Sequence, residues 1–331
     1  MKIMETVGID ISKLTFEARV HTSQAYQTFD NETKGYQDLV SWAYKNSCFS
    51  KEEIVFVFEH TGLYSHQLSV YLSSREIPFL MVPGLEIKRS LGMARGKDDK
   101  KDATKIAQYA YRLRDEIVPS QLATEEVMNL KRLLSLRERL VKQRAGYKAS
   151  LKEQKRVLPR KTNEVLLSTQ EKMIKYLSKQ IDIVEEQMKG IIKENESMSR
   201  NFKLLNTIKG VGPQTALFMI AYTANFTKFR DSRKFASYTG IAPFPNTSGT
   251  SIRGRNKVSN LANKKIKSLL DLCAKSSIQY NLEMKKYYEQ RIDIGKNKMS
   301  TINIIRNKIV SRMFAVVKRN EPYVNLMKYA A

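Results

Sequence analysis

The sequence is poor in the residues from which several kinds of site are built. Two cysteines, Cys48 and Cys273, lie far apart in 331 residues. That excludes a disulfide scaffold and a cysteine zinc finger, and it fits a reducing cytosol. Three histidines, His21, His60 and His66, argue against a multi-histidine metal centre. No run of about 18 apolar residues occurs, so no membrane span is expected. The apolar run that follows Met1-Lys2-Ile3-Met4-Glu5 is too short for a signal peptide. Acidic residues are scarce beside basic ones: 33 Asp and Glu face 58 Lys and Arg, a formal net charge of +25. The deficit is regional. Residues 1–120 carry 16 acidic and 16 basic residues, residues 121–199 carry 11 and 17, and residues 200–331 carry 6 and 25. A field that one-sided attracts polyanions, and it far exceeds what solubility needs.

What is present reads as two or three domains. Hydrophobic residues make up 42% of the chain, enough for real cores. In residues 1–120, Thr6 to Ile11 reads as a buried strand, and Thr15–Val20 and Ala25–Phe29 alternate with period two as its meander partners. Helical spacing follows over Gly35–Ala43. Ile54-Val55-Phe56-Val57-Phe58 is a continuous apolar run of the central-strand type. Gln67–Leu72 reads as helix, Phe79–Val82 as a short strand, and Lys101–Arg114 as helix. The order β-β-β-α-β-α-β-α is that of a ribonuclease H-like, RuvC-like α/β fold. Residues 121–199 predict two long helices broken near Leu158-Pro159. In the second, Met173, Leu177, Ile181, Val184, Met188 and Ile191 form an a/d seam. An antiparallel hairpin and a dimerising coiled coil both fit. Residues 200–331 read as mainly α, with a Gly turn at Gly210-Val211-Gly212 between helices, a loop from Gly240 to Gly254, and helices over 259–277 and 300–318.

Four carboxylates stand where chemistry collects. Asp10 and Glu59 end buried strands, at the edge where α/β sites form. Asp99 and Asp102 lie three apart at the start of a helix and share a face. Gathered together they would repel one another unless they shared Mg²⁺ or Mn²⁺, which prefer oxygen ligands and bridge phosphate oxygens. Helix-dipole placement alone accounts for the second pair but not for two acids on apolar strands. In the basic third, the Gly210–Gly212 turn has a helix-hairpin-helix look whose backbone N–H groups suit a phosphate. The stretch Pro243-Phe244-Pro245-Asn246-Thr247-Ser248-Gly249-Thr250-Ser251, followed by Arg253 and Arg255, sets hydroxyls among cations. Lys209, Gly210, Gly212, Arg253, Arg255, Lys257, Lys264 and Lys265 are the candidate nucleic-acid contacts.

Gly8-Ile9-Asp10-Ile11-Ser12-Lys13, Phe58-Glu59-His60-Thr61-Gly62 and Lys97-Asp98-Asp99-Lys100-Lys101-Asp102-Ala103 resemble the acidic motifs of the DEDD transposases of bacterial insertion sequences, the one-ten family, related to Piv-type DNA invertases. Ile208–Gly212, Tyr238–Pro243 and Thr247-Ser248-Gly249 are similar to that family's second domain. The third acidic motif reads Lys-Asp-Asp where Lys-Thr-Asp is usual, and Asn246-Thr247-Ser248-Gly249 replaces a Ser-Ser-Gly form, with Ser251 as second candidate. The resemblance implies a RuvC-like nuclease domain over 1–120, coiled-coil helices over 121–199 and a basic transposase domain over 200–331. It implies Mg²⁺ at Asp10, Glu59, Asp99 and Asp102, a covalent intermediate between Ser248 and DNA, and an element-encoded noncoding guide RNA that pairs with donor and target DNA. It further implies a bacterial, cytoplasmic, nucleoid-associated protein, and strand exchange calls for a dimer or tetramer. Two rival readings stand beside it: a RuvC-type Holliday-junction resolvase using metal-activated water, and a non-catalytic nucleic-acid-binding protein, against which the four acids speak.

Overall fold

In the computed structural model, residues 2–90, 99–248 and 252–324 are described, the side chains of 99–101, 248, 252 and 253 excepted. The chain divides into two units, residues 1–122 and 123–331. The first unit contains β1 (Glu5–Ile11), β2 (Thr15–Val20), β3 (Tyr26–Asp30), α1 (Thr33–Lys45), β4 (Ile54–Glu59), α2 (Leu63–Ser74), β5 (Phe79–Val82), α3 (Gly84–Ser90) and α4 (Asp99–Arg112). The sheet order is β3-β2-β1-β4-β5. The meander β1-β2-β3 is antiparallel, and β4 and β5 join parallel to β1.

Both faces of this sheet are covered, which explains why β4 is apolar from Ile54 to Phe58. Val7, Ile9, Ile11, Ile54, Phe56 and Phe58 pack on the α1 and α2 side with Tyr36, Leu39 and Leu68. Val55 and Val57 pack on the other side with Ile87 of α3 and Ile106, Tyr109 and Ala110 of α4. The buried carboxylate of Glu5 accepts from the N–H groups of Thr6 (2.9 Å) and Thr22 (3.3 Å) and from the Thr22 hydroxyl, so its burial is compensated. The seven-residue helix α3 was not legible as a separate element, because so short a segment gives no periodic signal.

The second unit contains α5 (Glu125–Val157), α6 (Glu164–Glu194), α7 (Glu196–Asn206), α8 (Pro213–Tyr222), α9 (Ser232–Tyr238), β6 (Pro243–Ser248), β7 (Ile252–Val258), α10 (Lys264–Tyr280), α11 (Leu282–Asp293) and α12 (Lys298–Arg319). Helices α5 and α6 form an antiparallel hairpin within the chain. Arg137 donates to Glu185 at 2.6 Å and Arg144 to Ser178 at 3.1 Å across it. Leu177, Ile181, Val184 and Met188 are buried along the expected seam, and Ile192 completes it while Ile191 is half-buried. The base of the hairpin joins the core of the unit, where Val184, Met188 and Ile192 meet Leu130, Leu134 and the residues of α8. No helix among the described residues is long and apolar enough to cross a membrane.

One expectation is corrected. The segment expected to be a loop from Gly240 to Gly254 is an antiparallel ribbon, β6 paired with β7, with a register shift between Phe244 and Asn246. Prolines hid the alternation. Pro243 opens the strand and Pro245 falls at the shift, two places where a missing N–H is tolerated in a two-stranded ribbon. Helices α9 and α11 were likewise unanticipated.

Candidate active site

Strands β1 and β4 are parallel neighbours in the register Gly8↔Val57, Ile9↔Phe58. The next step places Asp10 beside Glu59, on strands about 4.8 Å apart. By alternation both acids leave the sheet on the face that carries Thr6, Gly8, Val55 and Val57, the α4 face. Both are half-buried. Glu59 has a seat made for it: a Cβ on Gly84 would lie 1.9 Å from Glu59 Oε1 and 2.2 Å from its carboxyl carbon. Glycine at the start of α3 therefore leaves the space that the carboxylate fills. Helix α3 is tied to α4 by the Tyr109 hydroxyl, which donates to Glu86 Oε1 at 2.7 Å. Burial, then that hydrogen bond and the Glu86 charge, push the Tyr109 pKa up to about 12, so it stays a donor at every physiological pH.

Helix α4 lies unusually close to β1. A Cβ on Gly8 would sit 2.2 Å from Ala107 N and 2.4 Å from Ala103 O, and the Thr6 hydroxyl donates to Ala107 O at 2.9 Å. The helix thus runs antiparallel to β1, its N-terminus toward Asp10. Two strand residues advance about 6.6 Å and one helical turn about 5.4 Å, so the turn from Ala103 back to residue 99 brings the start of α4 level with Asp10. The side chain of Asp99 lies outside the described residues, as does Asp98. Asp102, half-buried, pairs with Lys105 Nζ at 2.5 Å. Among the described residues no group of three or more His, Cys, Asp or Glu is gathered as a metal site. What the structure brings together is Asp10 and Glu59, with the first turn of α4 beside them. This donor set of carboxylate oxygens, held by Gly8 and Gly84, fits a hard divalent cation.

In the second unit two N–H groups of the turn between α7 and α8 are spent internally. Val211 N–H goes to Ile208 O at 2.9 Å, Gly212 N–H bonds the Cys273 sulfur, and the Ser277 hydroxyl donates to Lys209 O at 2.8 Å. The Lys209 side chain is exposed. The register shift in the ribbon gives β7 one residue more than β6 between the pairs Asn246↔Gly254 and Phe244↔Lys257, which breaks the alternation there, and Arg255 and Lys257 are exposed. The side chains of Ser248 and Arg253 and the whole of Ser251 lie outside the described residues. Lys264 is exposed, whereas Lys265 is committed to Glu138 at 2.7 Å. Sequence reasoning missed Gly8 and Gly84 as the residues that make room for the site. The signal for Gly8 was present: a glycine inside an apolar strand marks a close backbone approach.

A family model described as Transposase, that of the DEDD enzymes of IS110, matches residues 7–156. A second, described as Transposase IS116/IS110/IS902 family, matches residues 202–289. The chain is a DNA transposase or recombinase, and it belongs to the IS110 family of insertion-sequence transposases. It is 26% identical to a pilin gene-inverting protein of Moraxella lacunata over 96% of this chain and 97% of that protein. It matches that of Moraxella bovis to the same extent. It is 24% identical to the transposase for insertion sequence element IS1111A of Coxiella burnetii (strain RSA 493 / Nine Mile phase I), over 98% of this chain and 92% of that protein.

Proposed function

We propose that this transposase exchanges DNA strands through a covalent serine intermediate, with Asp10, Glu59, Asp99 and Asp102 holding Mg²⁺ or Mn²⁺ at the edge of a RuvC-like domain. The observation that carries this reading is the meeting of Asp10 and Glu59 at the ends of adjacent parallel strands, with the N-terminal turn of α4 drawn level by Gly8. The cation, when bound, screens the scissile phosphate's negative charge and polarises its oxygens. The four carboxylates position it. Ser248 Oγ attacks the phosphorus, the Oγ–P bond forms, the P–O bond to the departing strand end breaks, and the serine proton leaves with that strand's oxygen. The phosphodiester count is conserved, so religation to a new end needs no ATP. Arg253, Arg255 and Lys257 on β7 supply cations for the phosphate backbone. Residues 1–120, 121–199 and 200–331 act as nuclease domain, coiled-coil helices and transposase domain with a helix-hairpin-helix-like turn. A noncoding guide RNA from the element supplies sequence recognition by base pairing, and a dimer or tetramer of the chain holds the several strands. The 25 basic against 6 acidic residues over 200–331 support a polyanionic partner.

The test is denaturing electrophoresis of the protein with labelled DNA and guide RNA. Wild type gives a shifted, protease-sensitive band. Ser248→Ala folds, binds nucleic acid and gives none. A band that persists in Ser248→Ala and disappears in Ser251→Ala moves the nucleophile, and a band that persists in both refutes the serine mechanism.

A further inference from the structure

The sheet of the first unit holds a further acid on the face of Asp10 and Glu59. Glu17 lies in β2, whose residues alternate between the two faces of the sheet. Phe16, Ala18 and Val20 pack on the α1 and α2 side, so Thr15, Glu17 and Arg19 face the α4 side. The antiparallel register sets Glu17 directly opposite Asp10. Residues so opposed share a face, with Cβ atoms about 4.5–5.5 Å apart. Across β2, β1 and β4 the α4 face therefore carries Glu17, Asp10 and Glu59 in a row. Glu17 stands outside the acidic motifs of the sequence.

Glu17 is half-buried, and among the described residues its Oε2 is buried without a hydrogen-bond partner. The cation next to it on that face, Arg19, gives its Nη2 to Gln24 Oε1 at 2.5 Å instead. Glu5, in β1 of the same sheet, is treated differently: its buried carboxylate accepts from two N–H groups and a hydroxyl. A carboxylate oxygen taken from water and left unmet is costly, and such an atom marks the place of a water, an ion or a catalytic contact. Its neighbours Asp10 and Glu59 are acids, so the missing partner is a cation or something that a cation carries. Among the described residues Glu17 joins no group of three side chains gathered as metal ligands, which places it one water away from the ion. Magnesium keeps several of its waters when proteins bind it, and those waters are donors.

We propose that Glu17 is a positioning residue of the acidic site, its Oε2 accepting a hydrogen bond from a water of the divalent cation held by Asp10 and Glu59. The proposal rests on the reading of the acidic site as a metal centre and adds a carboxylate to it on the β2 side. Partners of this kind orient a bound ion and strengthen its binding, and their loss costs about 10–100-fold in metal affinity. In the metal-free protein the same arrangement is unfavourable, because like charges directly opposite one another across a strand pair repel.

The full-length protein, without nucleic acid, is titrated with Mn²⁺, and the free ion is read by electron paramagnetic resonance. Glu17→Gln is expected to weaken binding by about 10–100-fold, and Glu17→Asp, which keeps the charge on a shorter arm, by less. Asp38→Asn removes an exposed acid on α1, on the other side of the sheet, and leaves the affinity unchanged. Unfolding in urea is followed alongside by Trp42 fluorescence. Without metal, Glu17→Gln unfolds at the wild-type urea concentration or above it, since the repulsion with Asp10 is gone. At a fixed Mn²⁺ concentration the wild type gains more in midpoint than the variant. If Glu17→Gln does not fold, the loss of affinity in Glu17→Asp carries the test. A lowered metal-free midpoint with wild-type Mn²⁺ affinity makes Glu17 merely structural and overturns the proposal. An equal loss of affinity in Asp38→Asn, a plain effect of net charge, overturns it too. Wild-type affinity in Glu17→Gln together with weakened binding in Asp10→Asn overturns the role of Glu17 alone. Wild-type affinity in Asp10→Asn as well, or no Mn²⁺ bound by the wild type, overturns the metal centre beneath it.

Discussion

Gly8→Ala tests whether the close approach of α4 to β1 assembles the acidic site. A methyl carbon at residue 8 would stand 2.2 Å from Ala107 N and 2.4 Å from Ala103 O. Carbon contacts settle at about 3.5–4.0 Å, so α4 has to retreat by roughly 1–1.5 Å. Both obstacles are backbone atoms, and no side-chain rotation relieves them. Overpacking of this kind costs about 1–3 kcal/mol. The retreat also stretches the bond from Thr6 Oγ1 to Ala107 O, 2.9 Å long, which is worth about 1 kcal/mol. The sum, about 2–4 kcal/mol, leaves a domain of ordinary stability, about 5–15 kcal/mol, still folded. The chemistry suffers more, because a displacement of about 1 Å at a catalytic group costs on the order of a hundredfold. The single tryptophan of the chain, Trp42, packs edge-on to Phe29 at 5.5 Å in the first unit, so its fluorescence in a urea titration reports that unit. The expected result is a lowered urea midpoint and strand exchange reduced by on the order of a hundredfold at equal folded concentration. An unchanged midpoint with exchange near the wild-type rate would refute the argument that α4 must touch β1 for the site to form.

Gly84→Ala separates position from stability: the atoms nearest its methyl are those of the movable end of Glu59, so the unfolding free energy from urea titration stays within about 0.5 kcal/mol of wild type while strand exchange falls at least about tenfold. Equal exchange by the two proteins counts against Glu59 as a member of the site. Gly210→Ala combines a φ of +95° with a Cβ only 2.1 Å from Ser277 Oγ and 2.8 Å from Cys273 O. It is expected to destabilise the second unit by about 2–5 kcal/mol, read by calorimetry, and a loss below about 1 kcal/mol contradicts this account of the turn. His21 stacks on Tyr111 at 4.0 Å, and burial, against the Glu5 charge and aided by Arg114 and Arg112, holds its pKa below the usual histidine value. The unfolded chain therefore takes the proton first. This contribution to stability is full above about pH 6.5 and is lost as pH falls through the lower folded pKa. The Trp42 urea midpoint should decline over that interval in wild type and much less in His21→Phe, and parallel declines would exclude His21 as the cause.

Much of the first unit was legible because its signals are local. The alternation of Thr15–Val20, the apolar run Ile54–Phe58 and the stretch from Lys101 to Arg114 each name their element, and β2, β4 and α4 follow them closely. The a/d seam of the long second hairpin helix reappears as buried Leu177, Ile181, Val184 and Met188. The ribbon β6–β7 was not legible, because prolines at 243 and 245 mimic a loop and only pairing with β7 makes a strand of them. The acids at 10 and 59 stood out as charges closing apolar strands. The glycines that seat them did not, since a missing methyl has meaning only against the atom that would collide with it.

By itself, the sequence determined the order of elements, the regional charge and the identity of the acids, since periodicity, charge and residue type are properties of neighbouring positions. It also carried the family's motifs. Tertiary structure alone decided that Asp10 and Glu59 stand side by side, because parallel register joins residues 49 positions apart in the chain. It alone decided that α4 presses on Gly8 and that Glu59 rests against Gly84. These are contacts between elements distant in sequence, and only close packing of a particular backbone brings such atoms within reach of one another.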